Sequence, residues 1–394
     1  MDAKPVPQMV TPQASPVPRG IIRFDRNELS GAFGDLGTDF PLVAGMILVG
    51  GLDATNVLTM FGLMQILAGL IYRLPMPVQP LKAMAVIVIT QKLSSNVLYG
   101  GGLAIGVLML LLVLSGLIDW MGRIVPKTVI RGIQFGLGLQ LALLSLREYI
   151  PSDSTFGFGL AAVGFLITVV LLGNRRFPPA PILILLGVTY GVLFKTDANS
   201  WRGAIGLHLP RLTPLQATDI LTGLVVLALP QLPLSLGNSL LATRQLVQDL
   251  FPERPVTLRK IGLTYALMNL INPFFGGIPT CHGSGGIAGH YAFGARTGGS
   301  VIIEGLFYLI LGVFLSPGFR TIIELFPKPI LGIILLFEAL ALMRLLTDIA
   351  QSRADFTLAL LIGLAAAALP YGYVVGLVGG TVLAYWGKSR FARP

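Results

Sequence analysis

Charge is what this chain has least of. Only 12% of its 394 residues are Asp, Glu, Lys or Arg, against roughly 25% in a typical soluble domain. That scarcity, together with 54% hydrophobic residues and a mean hydropathy of +0.79, excludes a water-soluble globular protein. Cysteine is almost missing: Cys281 stands alone, so no intrachain disulfide can form. Histidine is confined to His208, His282 and His290, too few for a structural metal cluster, and no cofactor is expected. The first two dozen residues are Pro-rich and lack the continuous apolar core of a signal peptide, so they read as a flexible tail. Nothing resembles a nucleotide-binding loop. A net charge of +10 would raise nucleic acid as a partner for a soluble protein. Here the basic residues are scattered through short loops, which argues for a lipid bilayer and against nucleic acid.

Long apolar runs fill the rest. Their Gly, Pro and charged punctuation divides the chain into about fourteen segments: 29–50, 55–73, 81–93, 102–119, 129–146, 157–173, 179–194, 216–243, 260–273, 282–293, 299–316, 327–345, 355–369 and 372–387. Segments 3 (81–93) and 10 (282–293) fall short of the roughly 20 residues a spanning helix needs. Each follows a helix-averse stretch, PMPVQP at 75–80 and PFFGGIPT at 273–280, because proline cannot continue a helix and biases its predecessor toward extended geometry. Each therefore predicts a short strand followed by a half-helix. The two starts, Lys82 and His282, are 200 residues apart, and the same offset relates Leu36-Gly37 to Leu236-Gly237. Seven segments per half is odd, so the second half enters the membrane from the opposite side. The expected fold is an all-α polytopic membrane protein of fourteen segments in 7+7 inverted repeats.

The expected organisation is a cytoplasmic tail (1–28), a first repeat (29–195), an extracellular linker (196–215) and a second repeat (216–390). Basic residues test this. Of the 28 Lys and Arg, Lys82 lies within a segment, and only Lys92, Arg147, Lys195, Arg202, Arg211, Arg320 and Lys328 fall outside; the others fall inside. That bias agrees with the positive-inside rule and puts both termini in the cytoplasm. The expected location is the inner membrane of a bacterium.

A polar, Gly-rich break at membrane depth must be buried in protein or line a cavity, since lipid cannot satisfy bare backbone. Gly276–Gly299, GGIPTCHGSGGIAGHYAFGARTGG, is such a break. A helix N-terminus presents unpaired N–H groups and a partial positive charge, which favour anions. Neither half-helix start carries a carboxylate, so an anion is favoured over a cation. The substrate-site candidates are Gln79 and Lys82 at the first start. At the second they are Thr280, Cys281, His282, Gly283, Ser284 and Gly285, where glycine lets a ligand reach bare backbone. Thr38 and a polar stripe in segment 8, Gln231, Ser235 and Asn238, complete the set. Lys82 is read as the counter-charge and His282 as an oxyanion donor or a titrating group. Asp35 and Asp39, four residues apart on one helical face, and the intramembrane Glu304 and Glu338 are candidates for ion coupling. The helix is expected to kink at Pro41. Cys281 is read as a packing residue rather than a nucleophile, and no enzymatic activity is expected.

The runs Pro77-Val-Gln-Pro-Leu-Lys-Ala-Met-Ala and Gly277-Ile-Pro-Thr-Cys-His-Gly-Ser-Gly-Gly resemble the two signature motifs of the molybdate transporter family, related to the SulP sulfate transporters. Gly34-Asp-Leu-Gly-Thr-Asp-Phe-Pro also fits. The resemblance covers 29–390. It implies the inverted-repeat fold shared with uracil permease, a core domain of segments 1–4 and 8–11, and a gate domain of segments 5–7 and 12–14. It also implies a substrate site between the two half-helices, a possible homodimer, and no cytoplasmic STAS domain. The implied activity is secondary transport of a tetrahedral oxyanion, molybdate first, with sulfate or bicarbonate as alternatives.

Overall fold

A computed structural model describes residues 21–174, 176–195 and 203–391. The expected tail up to residue 20 and the first part of the linker, 196–202, lie outside them.

Asp25 caps α1 (Arg26–Ala32) by accepting from the N–H groups of Asn27 and Glu28. The chain breaks at 33–35 and continues as α2 (Leu36–Gly50), bent by 43° from α1. The kink expected at Pro41 is therefore displaced. Phe33 and Gly34 donate three residues back, to Ser30 and Gly31, which closes a tight turn and ends α1, whereas Pro41 sits inside a continuous α2. Then come α3 (Ala54–Tyr72), β1 (Gln79–Pro80), α4 (Lys82–Gln91) and α5 (Ser95–Leu114). The fourth segment starts well before the expected residue 102. Ser94 caps it, and Gly100 to Gly102 lie in its interior. There they are contact surface rather than a break: a Cβ on Gly100 would overlap the Asp219 carbonyl of the neighbouring helix. Gly116, at φ +73°, turns the chain into the short α6 (Leu117–Ile124).

The first half ends with α7 (Lys127–Leu144), extended by a π turn, then α8 (Ser154–Leu171) and α9 (Pro179–Phe194). A continuous helical run follows, made of α10 (Ala217–Gly223), α11 (Leu229–Leu234) and α12 (Thr243–Leu250) joined by π turns at Leu224–Ala228 and Ser235–Ala242. Pro230 and Pro233 lie in it, and each removes a donor from the ladder, which is where widened turns arise. The remaining elements are α13 (Leu258–Ile271), β2 (Thr280–Cys281), α14 (Ser284–Ala292), α15 (Gly299–Phe314), α16 (Phe319–Glu324), α17 (Lys328–Arg344), α18 (Arg353–Ala368), α19 (Gly372–Val374) and α20 (Gly380–Phe391).

Among the described residues five helical stretches are long and apolar enough to cross a membrane, and two bent pairs bring the number to seven. The face of α8 bearing Phe156, Leu166, Val169 and Val170 is exposed and apolar, as lipid contact requires. Helix α3 packs along α15, and α13 packs along α5. These pairings exchange the second and fourth elements of the two halves, as a pseudo-twofold axis demands. Small residues bring the backbones together: a Cβ on Gly62 of α3 would come within 2.6 Å of the Gly305 carbonyl of α15. At one end of the bundle Arg131 of α7, 1% exposed, donates to Asp348 beyond α17, to Asp249 of α12 (2.6 Å) and to Gln134 (2.7 Å). Lys127 joins Asp348 at 2.8 Å.

Candidate functional site

The two strands are only two residues long, yet they pair antiparallel, Gln79 with Cys281 and Pro80 with Thr280. The Leu81 N–H donates to the Pro279 carbonyl at 3.0 Å. This pairing sets the starts of α4 and α14 against each other. Each strand is clamped by one amide from the preceding helix. Gln65 of α3 donates to the Val78 carbonyl (2.9 Å) and accepts its N–H (2.8 Å). Asn269 of α13 does the same to Thr280, at 2.6 and 2.9 Å. Neither residue stood out in the sequence, although each is an amide in an apolar span about a dozen residues before its strand.

The first turns of the two half-helices differ. In α4, Gln231 Oε1 accepts from the N–H groups of Ala83 (2.9 Å) and Met84 (3.2 Å). Gln231 Nε2 donates to Ser235 Oγ (3.1 Å), which bonds the Tyr265 hydroxyl at 2.8 Å. In α14, Gly283 is the N-cap residue and supplies no side chain. Among the described residues no acceptor is paired with the N–H of Ser284, Gly285 or Gly286. The Ser284 hydroxyl donates to Asn238 Oδ1 at 2.7 Å.

Side chains press on this bare turn. A Cβ on Gly283 would overlap Gln79 Oε1, one on Gly286 would overlap Asp35 Oδ2, and one on Gly285 would meet Glu338 Oε1 at 2.6 Å and Lys82 Nζ at 3.7 Å. Gln79 Nε2 holds both oxygens of Asp35, at 2.8 and 2.7 Å. Thr38 Oγ1 donates to Glu338 Oε2 at 2.8 Å. The remaining atoms, Gln79 Oε1, Lys82 Nζ and Glu338 Oε1, are buried without a hydrogen-bond partner. No ion pair within 4.0 Å joins Lys82 to a described carboxylate.

The other candidates lie further out. His282 is wholly buried behind the strands. Its Nδ1 donates to the Pro77 carbonyl (3.1 Å), which leaves Nε2 to accept from Thr264 Oγ1 (2.9 Å), and Tyr72 packs edge-on against the ring. Both nitrogens are used within the protein. The Thr280 hydroxyl accepts from Asn272 at 3.3 Å. Cys281 is a buried strand residue. Asp39 is buried with both oxygens unpartnered, and Glu304 lies 3.2 Å from His290 Nε2. The carboxylates that the half-helix starts themselves lack are thus supplied from elsewhere: Asp35 from the α1–α2 break and Glu338 from α17. The described residues contain no group of three or more His, Cys, Asp or Glu placed to hold a metal ion. A cavity of about 50 Å³ lies away from the half-helix starts, beside Asn27, Asn174, Phe293 and Arg296.

Residues 27–141 and 223–342 match the family profile described as molybdate transporter of MFS superfamily. The chain belongs to that family. It is 33% identical over 367 residues to molybdate transporter 2 of Arabidopsis thaliana, covering 80% of this chain and 78% of that one. Molybdate transporter 1 of the same plant is 31% identical, covering 82% and 80%. Molybdate transporter 1 of Chlamydomonas reinhardtii is 28% identical, covering 93% of each chain. These three are plant and algal proteins and lend no support to a bacterial inner membrane. Two solved structures share the fold. One is the transmembrane domain of the cyanobacterial bicarbonate transporter BicA, with a TM-score of 0.54 at 17% identity, covering 87% of this chain and 97% of that one. The other is murine Slc26a9 in the inward-facing state, with a TM-score of 0.62 at 14% identity, covering 93% and 69%. The superfamily label in the profile's description denotes two six-helix halves. The paired strand–half-helix elements and the two structural neighbours instead give this chain the SulP-like fold.

Proposed function

We propose that the chain is a secondary active transporter of a tetrahedral oxyanion, with molybdate as its substrate. The observation that carries the reading is the α14 start: three backbone N–H groups without a protein acceptor, beside the buried ammonium of Lys82. Charge-assisted bonds from such donors are the strong ones, and they present no carboxylate of their own. Family membership and the names of the plant relatives favour molybdate within the oxyanion class.

The site is sealed in this conformation. Gln79, His282, Ser284, Asp35 and Glu338 are all 0% exposed. A sealed site fits a carrier better than an open anion channel, which needs a continuous pore. The reading assigns α1 to α5 and residues 217–314 to a core, and α7 to α9 with α17 to α20 to a gate. Their separation admits the anion to one face and then the other, with both termini cytoplasmic. In the absence of a nucleotide-binding loop, an ion gradient or the anion's own gradient drives the cycle. The test is uptake into proteoliposomes with molybdate, tungstate, sulfate and bicarbonate as competitors. Molybdate and tungstate compete best if the reading holds. Stronger competition by sulfate or bicarbonate refutes the substrate, and uptake that never exceeds equilibrium refutes active transport.

A further inference from the structure

The bare turn of α14 has a neighbour that resembles its proposed cargo. Glu338 comes from α17, on the gate side; a Cβ on Gly285 would lie 2.6 Å from its Oε1 and 3.7 Å from Lys82 Nζ. It is wholly buried and that oxygen has no donor, while Oε2 is held by Thr38. Asp35 also faces the turn, but Gln79 holds both of its oxygens. Among the described residues Glu338 Oε1 is thus a carboxylate oxygen beside the anion-binding donors that no N–H or O–H donor holds, and Glu338 belongs to the other half of the proposed core–gate pair.

We propose that Glu338 is a tethered carboxylate that competes with the oxyanion for the α14 turn, so that each loading event requires Glu338 to take up one proton and withdraw. This rests on the oxyanion reading of the same turn. Ionised, Glu338 offsets Lys82 and keeps gate against core in the unloaded carrier. A dianion entering beside an ionised Glu338 meets like charge, and a proton on Glu338 removes that repulsion. The charged and titratable groups facing Glu338 are Lys82 of α4, Asp35 at the α1–α2 break, Asp39 of α2, Glu304 of α15 and Tyr149 beyond α7. Of these acids, Asp35 is fixed by Gln79 and Glu304 lies beside His290. The physical consequence is proton–oxyanion symport by direct competition.

The experiment measures molybdate binding to the purified full-length protein from pH 5.5 to 8.5, together with proton uptake on binding in weak buffer. Wild type is expected to lose affinity about tenfold per pH unit over the alkaline part of the range and to take up one proton per anion, since one bound proton is linked to one bound anion. Glu338→Gln is expected to bind molybdate with little pH dependence and no proton uptake, and to sustain exchange of internal for external molybdate without acid-driven accumulation. An unchanged pH slope in Glu338→Gln overturns the proposal while leaving the oxyanion reading intact. If Glu338→Gln does not fold, binding by wild type without proton uptake overturns it equally. No binding of any oxyanion by wild type refutes the oxyanion reading itself, and this inference with it.

Discussion

Gln231 separates two ways in which an amide can serve this site. It is a direct substrate ligand in the sequence reading, and in the structure it caps α4. The perturbation is Gln231→Leu, which keeps the volume and removes the acceptor. Two N–H groups, the partly buried Ala83 at 2.9 Å and the buried Met84 at 3.2 Å, then lose their partner. Each stranded donor costs about 1–3 kcal/mol, and the longer bond falls at the low end, so the loss is about 2–4 kcal/mol. Leucine recovers about 1 kcal/mol by burying apolar surface at a position only 1% exposed. The net is about 1–3 kcal/mol, or a fall in Tm of a few degrees for a chain of this size. Gln231→Glu is the counterpart: a carboxylate still accepts both N–H groups and suits a helix N-terminus, but it adds a negative charge near the anion. Thermal unfolding in detergent and molybdate binding are measured on the same samples. The expected pattern is lower stability for Gln231→Leu, and retained stability with at least tenfold weaker binding for Gln231→Glu. Wild-type Tm for Gln231→Leu refutes the cap, whatever happens to binding.

Other substitutions probe separate parts of the argument. Lys82→Met removes the cation that lies beside the α14 turn among the described residues and is expected to weaken molybdate binding at least tenfold with little change in Tm; unchanged affinity in a binding titration refutes its role as counter-charge. Gly62→Val drives a side chain into the Gly305 carbonyl where α3 crosses α15, and overpacking of this kind costs about 1–3 kcal/mol or more, read as lost monodisperse protein on heating. Arg131→Met separates α7 from Asp249 and Asp348. Because those carboxylates are 21% and 34% exposed and can rehydrate, the expected loss is about 1–2 kcal/mol rather than the 3–5 of a fully buried pair, and protease accessibility of the 243–257 stretch should rise. Asn269→Leu and Gln65→Leu should each lower Tm by a similar amount, since each removes two bonds from one strand; a large asymmetry refutes the equivalence of the two clamps.

The breaks before α4 and α14 were readable because proline and glycine act locally: Pro77, Pro80 and Pro279 bar helix whatever surrounds them. The same local rule misread Gly100 to Gly102 as an interruption. In the interior of a membrane helix glycine also marks where another backbone arrives, and only the position of α10 shows that this is its use here. Asp35 was legible as a carboxylate in segment 1 but not as the partner of Gln79, because that contact depends on the bend at 33–35 rather than at Pro41. Glu338 was legible only as a charged residue in segment 12. Its place against Gly285 comes from the packing of α17 against α14, a relation more than fifty residues distant in sequence. His282 was singled out for its position in the motif, yet the atoms that use both its nitrogens, Pro77 O and Thr264 Oγ1, lie in other segments.

The twofold relation between the halves makes one difference between them informative. The strands pair with each other, the amide clamps match, and each half-helix begins at the end of its strand. If both starts bound substrate alike, both would be left open. Instead Gln231 fills the donors of α4, while the equivalent turn of α14 is kept bare by three glycines or glycine neighbours and is faced by carboxylates. In the proposed site a dianion therefore has one strong set of backbone donors, not two, and α4 contributes chiefly the ammonium of Lys82. On the proposed reading, uneven filling also gives the carrier a means of neutralising itself when empty, because one bare turn needs only one tethered carboxylate. A symmetric cradle would need two, both displaced at once, for the same cargo.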